Sequence, residues 1–336
     1  MATTQLADVY VPLTFNRRVQ LTQIQKNAFV ASGVAVQDPL LAAQFAAGGN
    51  IGELPQYNGI TIVEPNYSSD NPANTATPQK ITSNKQKVRS ASRNQHWSTM
   101  DLARELAVED PMGAITNRIG GYWATDDEKR LICALDGIFA DNVANDSGDM
   151  VYSIATDAAG AVTDAERISS DAIAVALQTL GDASDQVTAM AMHSVLRTRL
   201  VRQGLIKEHR DNKNGEVLFE TYLGKRVIVD DSLTPEVGTN RIKYKVALFG
   251  DGVVSWANGR VITPSEISRE ALAGDGGGQS IISSRVNTIL HPNGFSFESA
   301  SVTGNSATYA ELKNAANWDR KVERKHVRIC FLEVND

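Results

Sequence analysis

The sequence predicts an α+β protein, and three patterns carry that reading. Apolar residues from Met112 to Phe139 recur at three- and four-residue steps, the mark of a long helix. Between Asp171 and Phe249 helical and strand patterns alternate, and beyond Arg260 the pattern turns β-rich with turn signals between apolar runs. With 336 residues the chain has room for about two domains and a sizeable core.

In order along the chain, residues 1–50 place Val9, Val11, Leu13, Phe15, Val19, Leu21 and Ile24 without a sustained period. Pro12, Pro39 and Gly48-Gly49 interrupt them, which predicts an extended arm with one or two short helices. Pro55, Pro65, Pro72 and Pro78 punctuate the next stretch. Gly59–Val63 and Lys85–Ala91 alternate like strands and predict the two arms of a long hairpin, too thin to bury its own surface and in need of a neighbour. Ser98-Thr99-Met100-Asp101 resembles a capping box opening a helix through Leu102, Leu106 and Val108. Asp110 as N-cap and Pro111 at the first position then open the long helix, expected to run to about Ala140 and to measure about 45 Å at 1.5 Å per residue. Gly120-Gly121 weakens it and permits a bend.

Asp171–Leu180 reads as a helix closed by Gly181, and Val187–His193 as a strand. Ser194 caps a helix that ends at Gly204. Val217–Val229 reads as two strands meeting near Leu223-Gly224, with Tyr244–Phe249 another strand. Ile281-Ile282, Val286–Leu290 and Phe295–Phe297 are expected as separate strands, with a Gly274–Gly278 loop before them. Thr308–Trp318 reads as a short helix and Val327–Val334 as a closing strand.

Lysine and arginine number 33 against 39 acids, a net charge of −6 that excludes a globally basic nucleic-acid binder. The charges are nevertheless separated. Asn71–Met100 holds no acid but carries Lys80, Lys85, Lys87, Arg89 and Arg93, whereas Asp101–Met150 is strongly acidic and includes Glu105, Glu109, Asp126, Asp127 and Glu128. Such strips are either a solvated surface or complementary patches between copies of the chain. Cys133 and Cys330, far apart in apolar surroundings, argue against a disulfide framework and for a reducing, cytoplasmic compartment. The N-terminus has neither the basic nor the apolar region of a signal peptide, and the longest apolar stretch, Ala28–Ala47, is broken by Asp38-Pro39, so no membrane partner is expected.

Motifs for chemistry are missing. No P-loop, paired-histidine zinc motif, nucleophile elbow or kinase signature occurs, and His96, His193, His209, His291 and His326 show no ligand spacing. No cofactor, metal or catalytic residue is expected. Asp126-Asp127-Glu128 points in different directions around a helix and reads as a solvated or intersubunit face, and Asn142–Asp149 lacks the ligand spacing of a calcium loop. The rival reading is a hydrolase-like α+β enzyme with a site around Asp230, Asp231 and His209, although Asp230-Asp231 reads more simply as a turn.

The order of arm, basic hairpin, very long helix, α+β unit and returning β-segments resembles the major capsid proteins of tailed bacteriophages, which share the fold named after the Hong Kong phage. The motifs that carry the resemblance are Val11-Pro12-Leu13-Thr14-Phe15-Asn16, Ser32-Gly33-Val34, Asp110-Pro111-Met112, Leu135-Asp136-Gly137-Ile138-Phe139 and Met192-His193-Ser194-Val195-Leu196. Further on come Leu223-Gly224-Lys225-Arg226-Val227-Ile228-Val229-Asp230-Asp231, His291-Pro292-Asn293-Gly294-Phe295, Glu311-Leu312 and Asn317-Trp318. The resemblance implies an N-terminal arm over 1–51, an extended E-loop over 52–97 and a peripheral domain with its spine helix over 98–164. It further implies an axial domain over 165–259, peripheral-domain strands over 260–307 and a C-terminal segment, 308–336, packing near the axial domain.

By the same resemblance the function is structural: hexamers and pentamers of the chain form an icosahedral shell around double-stranded DNA, assembled in the bacterial cytoplasm and found in the virion. The implied partners are other copies of the chain, a separate scaffolding protein, a portal protein and packaged DNA held without sequence readout, with a decoration protein as a further candidate. Another virion or encapsulating shell component of the same fold is the second alternative. Lys80, Lys85 and Lys87 lie in the loop that some relatives crosslink, yet no partner residue is identifiable and no crosslink is expected. Lys85, Lys87, Arg89 and Arg93 are expected to lie over Glu105, Glu109, Asp126, Asp127 and Glu128 of an adjacent subunit. Arg17, Arg18 and Lys26 are expected to face the lumen and meet DNA phosphate.

Overall fold

The computed structural model describes residues 19, 27–57, 60, 62–106, 111–211 and 217–336. Near the start, Asn27 caps helix α1 (Ala28–Ala31) by accepting from the amides of Phe29 and Val30. Strand β1 (Ala35–Gln37) follows. Asp38 then caps α2 (Pro39–Ala46) with Pro39 at its first position, so the Asp38-Pro39 break in the apolar stretch is a helix start. The hairpin comes next, as β2 (Ile51–Tyr57) paired antiparallel with β3 (Ser83–Arg89), Ile51 opposite Arg89 and Tyr57 opposite Ser83. The partner of β3 is therefore 51–57 and not the expected 59–63, of which Ile60, Ile62 and Val63 are described and lie outside any strand. Pro65, Pro72 and Pro78 lack the amide a longer ladder would need.

After a single residue, Ser90, the chain continues as β4 (Ala91–Met100). Helix α3 (Asp101–Leu106) begins where β4 ends, so Ser98–Met100 is strand and not a helix cap. The long helix α4 spans Pro111–Asn145, five residues beyond the expected end. Asn142 turns the chain there, its Oδ1 accepting from Met150 N at 3.0 Å. Beyond it lie β5 (Val151–Ser153), α5 (Ser170–Gln178), β6 (Val187–Met192), α6 (Ser194–Arg202) and β7 (Lys207–Arg210). The hairpin β8 (Val217–Tyr222) and β9 (Lys225–Val229) turns through Leu223 and Gly224, both at positive φ (51° and 76°), the two-residue turn that matches strand twist. Then come β10 (Glu236–Val237), β11 (Ile242–Gly250), β12 (Val254–Asn258), β13 (Ser265–Glu270) and β14 (Gln279–Pro292). The last elements are β15 (Phe295–Phe297), α7 (Tyr309–Lys313), β16 (Trp318–Arg320) and β17 (Ile329–Asn335).

Most of these strands lie in two sheets, while β2–β3 and β15–β16 pair by themselves. The smaller runs β1-β12-β14-β13 with β4 also on β14, and the larger runs β5-β17-β11-β6-β9-β8-β7 with β10 on β11. The expected short segments 281–282 and 286–290 are one 14-residue strand, β14. Serine, arginine and asparagine in it resemble turn signals, but β4, β12 and β13 all ladder onto it. β5, inside 98–164, joins the larger sheet beside β17, and β12, inside 165–259, joins the smaller one. The final strand is an interior member of the larger sheet, between β5 and β11.

Helix α4 unites the parts. Its Leu131, Ile132, Leu135 and Ile138 share one core with Phe249 and Phe331 of the larger sheet, Ala35 and Val254 of the smaller one, and Phe29, Phe295 and Trp318. Its first half, through Ile119 and Trp123, packs on Ile282 and on Val19. A second core, with Ile173, Met190, Leu196, Leu248 and Leu332, fills the other face of the larger sheet. Cys133 and Cys330 are buried and unbonded, and burial pushes the Cys330 thiol up to about 12, so both act as small apolar groups. Among the described residues no helix is long and apolar enough to cross a membrane.

Candidate functional site

Among the described residues no group of three or more His, Cys, Asp or Glu side chains could hold a metal ion. Asp230, Asp231 and His209 are each committed locally. Asp230 accepts from Ser232 N at 2.8 Å in a turn, Asp231 accepts from Ser194 N at 3.0 Å at the start of α6, and His209 stacks on Phe219 with centroids 4.6 Å apart. These are turn, cap and packing roles.

What the fold does assemble is a polar junction where the hairpin root meets α4. Strand β4 carries Arg93 onto the helix, where its guanidinium meets Asp126 and, at 2.6 Å, Asp127. All three side chains are nearly enclosed, at 11%, 10% and 7% exposure. Thr288 of β14 donates to Asp127 at 3.0 Å, Tyr309 of α7 donates to Asp126, and Arg93 lies 5.4 Å from the Trp123 ring centroid. Burial disfavours the Arg93 charge, but Asp127 and Asp126 more than offset it and hold its guanidinium above the usual range. Burial, with Asp126 beside it, pushes the Tyr309 phenol upward.

Within one chain several of the charges expected to pair between copies already have partners. Arg93, Asp126 and Asp127 neutralise one another inside one chain, because β4 and α4 flank the same strand β14. Glu128 likewise turns inward and accepts from Ala28 N at 2.6 Å; its burial raises the carboxyl above its usual range. Lys85 pairs with Glu53 across the hairpin at 2.8 Å, Lys87 with Glu298, and Arg89 donates to the carbonyls of Gly304 (2.6 Å) and Asn305 (3.2 Å). Glu105 is exposed on α3. Glu109, Arg17, Arg18 and Lys26 lie outside the described residues.

Residues that sequence reasoning did not single out fasten the hairpin to the body. Gln86 of β3 is buried, and its Oε1 accepts from Gly294 N at 3.2 Å and faces His291 Nε2 at 3.3 Å, while its amide donates to Gln56 of β2. Asn84 donates to Lys321 O at 2.7 Å and Ser296 Oγ accepts from Lys87 N at 3.0 Å. Most of these contacts join positions about two hundred apart in the chain, so no local spacing announces them.

Complete burial pushes His291 down to about 4 from its ordinary 6.5. The imidazole is neutral in the fold at neutral pH. As pH falls below 6.5 the unfolded chain takes the proton first, so stability declines through the window from 6.5 to about 4 and levels off below it, a loss of about 3 kcal/mol in all. Urea unfolding between pH 7 and 4.5 checks this: His291→Gln will flatten the pH dependence relative to the parent chain, and equal slopes would disprove the assignment.

The comparisons with known proteins follow this architecture. The profile of the Gp13-like family, described as "Major capsid protein 13-like", matches residues 137–327. The major capsid protein of Bacillus phage SPP1 is 35% identical over 332 residues, covering 98% of this chain and 97% of that protein. The chain belongs to this family of phage major capsid proteins. Members of the family are structural shell components and not enzymes, which sets aside the hydrolase reading of Asp230, Asp231 and His209. Solved structures agree on the fold. The capsid of cyanophage Pam1 superposes with a TM-score of 0.53 at 12% identity over 85% of each chain, and that of Ralstonia phage GP4 with 0.53 at 9% identity over 86% of this chain and 84% of that one.

Proposed function

We propose that this chain tiles as hexamers and pentamers into an icosahedral shell around double-stranded DNA, and that the hairpin beyond Tyr57 is the reach of each subunit onto its neighbour. The observation that carries the second part is the apolar surface there. Ile60, Ile62, Tyr67 and Ile81 are 74%, 98%, 78% and 59% exposed, while the hairpin root is locked to the body. An exposed apolar stretch on a rooted projection fits a surface awaiting a partner, and many copies of one modest contact become strong through geometry.

Host-cytoplasmic assembly, a separate scaffolding protein, a portal protein and a decoration protein belong to this proposal, as do the E-loop, peripheral and axial roles of the spans named above. Lys85, Lys87, Arg89 and Glu105 stay candidates for contact between copies, at the outer faces their own-chain partners leave free. The acidic balance of −6 suits a shell that encloses DNA without gripping it.

Negative-stain imaging of the purified chain, alone and with its scaffolding partner, tests the reading: closed shells are expected, and a chain that stays monomeric in both conditions would overturn it. Ile62→Asp with Tyr67→Asp will leave the circular dichroism of the subunit unchanged but cut its association at least about tenfold, because each 1.4 kcal/mol of lost contact is a factor of ten. Sedimentation through sucrose reads the yield of particles. Unchanged yield would remove the hairpin tip from the interface.

A further inference from the structure

A cavity of about 30 Å³ lies where the hairpin root, the long helix and β14 meet. Arg89 and Ser90 line it from the root, Arg130 from α4, Thr288 and His291 from β14, and Trp318 closes one side. Its charged lining is two arginines, with no carboxylate. Arg89 uses Nε and Nη2 on the carbonyls of Asn305 and Gly304, which leaves Nη1 without a hydrogen bond. Arg130 makes no hydrogen bond or ion pair with any described residue, because the nearby carboxylates are already engaged: Asp126 by Arg93 and Tyr309, Asp127 by Arg93 and Thr288.

Arg130 is half-buried on α4, and guanidinium donors drawn partly out of water are ordinarily satisfied by an acceptor. Arg93 already holds both carboxylates of the junction, Asp126 and Asp127, so neither is left to pair directly with Arg130. Burial, then the nearby Arg93 charge, lowers the Arg130 guanidinium from its usual range, and Asp126, Tyr309 and Asp127 offset this only in part. The cavity is large enough for about two waters or one small oxyanion.

We propose that this cavity binds a small tetrahedral oxyanion of the inorganic phosphate class, bridging Arg130 on the helix to Arg89 at the hairpin root. Guanidinium groups suit such an anion through charge-assisted, directional hydrogen bonds. Bound there, the anion ties the root of the projecting hairpin to the long helix and stiffens the joint from which the hairpin departs.

The test uses the soluble full chain and inorganic phosphate as probe, with sulfate as a second tetrahedral anion and chloride at matched ionic strength as the control. Phosphate is expected to raise the melting temperature saturably, beyond the chloride control, and to show an exchange-broadened ³¹P signal. Arg130→Gln should abolish both effects, and Arg130→Lys should keep part of them. Should Arg130→Gln fail to fold, Arg89→Gln, whose side chain bonds only two loop carbonyls, should weaken phosphate binding severalfold in a folded chain. A rise equal in parent and variants reports a general effect of a strongly hydrated anion and overturns the proposal. So does the absence of any phosphate-specific shift in the parent chain.

Discussion

Replacing Arg93 with methionine will destabilise the subunit by about 3–5 kcal/mol, the cost of leaving a buried ion cluster without its cation. The side chain is 11% exposed and holds two carboxylates that are themselves enclosed, so its removal leaves Asp126 and Asp127 without their cation and with little water to screen them. Arg93→Lys will recover part of the loss, since an ammonium keeps the charge but cannot fork to both acids and Thr288 together. The triple change Arg93→Met, Asp126→Asn, Asp127→Asn will recover more than Arg93→Met alone, because neutral amides remove the unpaired charge. Urea unfolding followed by tryptophan fluorescence, below the concentration at which the chain associates, measures all three. An Arg93→Met loss below about 1 kcal/mol would mean that the cluster behaves like a solvated surface pair. The exposed Lys85–Glu53 pair serves as the internal comparison, and Lys85→Met is expected to leave stability almost unchanged.

The same residues show where the sequence was legible and where it was not. Separation of charge between 71–100 and 101–150 is plain in the sequence, and the structure does bring Arg93 to Asp126 and Asp127. What the linear pattern cannot say is whether two complementary strips meet within one chain or between two. That answer depends on β4 and α4 flanking β14, a pairing set by positions nearly two hundred residues away. Local signals succeeded where local physics decides: Pro111 at the start of the long helix, Leu223-Gly224 in a tight turn, Gly181 and Gly204 at helix ends in the left-handed region. They failed where tertiary pairing overrode them. Ile51–Tyr57 holds a proline and a glycine yet forms the hairpin arm, while Ile60, Ile62 and Val63, better strand residues, lie outside any strand. The buried Gln86–His291 contact has no sequence signature at all. Neither residue type is distinctive, and only the fold places one above the other.

Gly137 offers the sharpest test of how closely the long helix is fitted. A glycine within a helix costs about 1 kcal/mol relative to alanine, so Gly137→Ala ought to stabilise an isolated helix. Here it will do the reverse. A methyl group on Gly137 would stand 2.1 Å from the carbonyl oxygen of Leu312 and 2.4 Å from Trp318 Nε1, and the first of these is backbone that cannot swing aside. To admit it, α7 must retreat from α4, lengthening the 2.8 Å bond that Trp318 Nε1 donates to Leu312 O and loosening the core that Trp318 shares with Phe297 and Leu135. Overpacking of about 1–3 kcal/mol and an impaired buried hydrogen bond of comparable size outweigh the gain in propensity, for a net loss of roughly 2–4 kcal/mol. The cycle with Trp318→Phe identifies the cause. Phenylalanine removes the indole nitrogen and narrows the ring, so the penalty of Gly137→Ala should shrink in that background by about 1 kcal/mol or more. Additive losses would place the strain at Leu312 alone, and a stabilised Gly137→Ala chain would mean that α4 and α7 pack less closely than the structure places them.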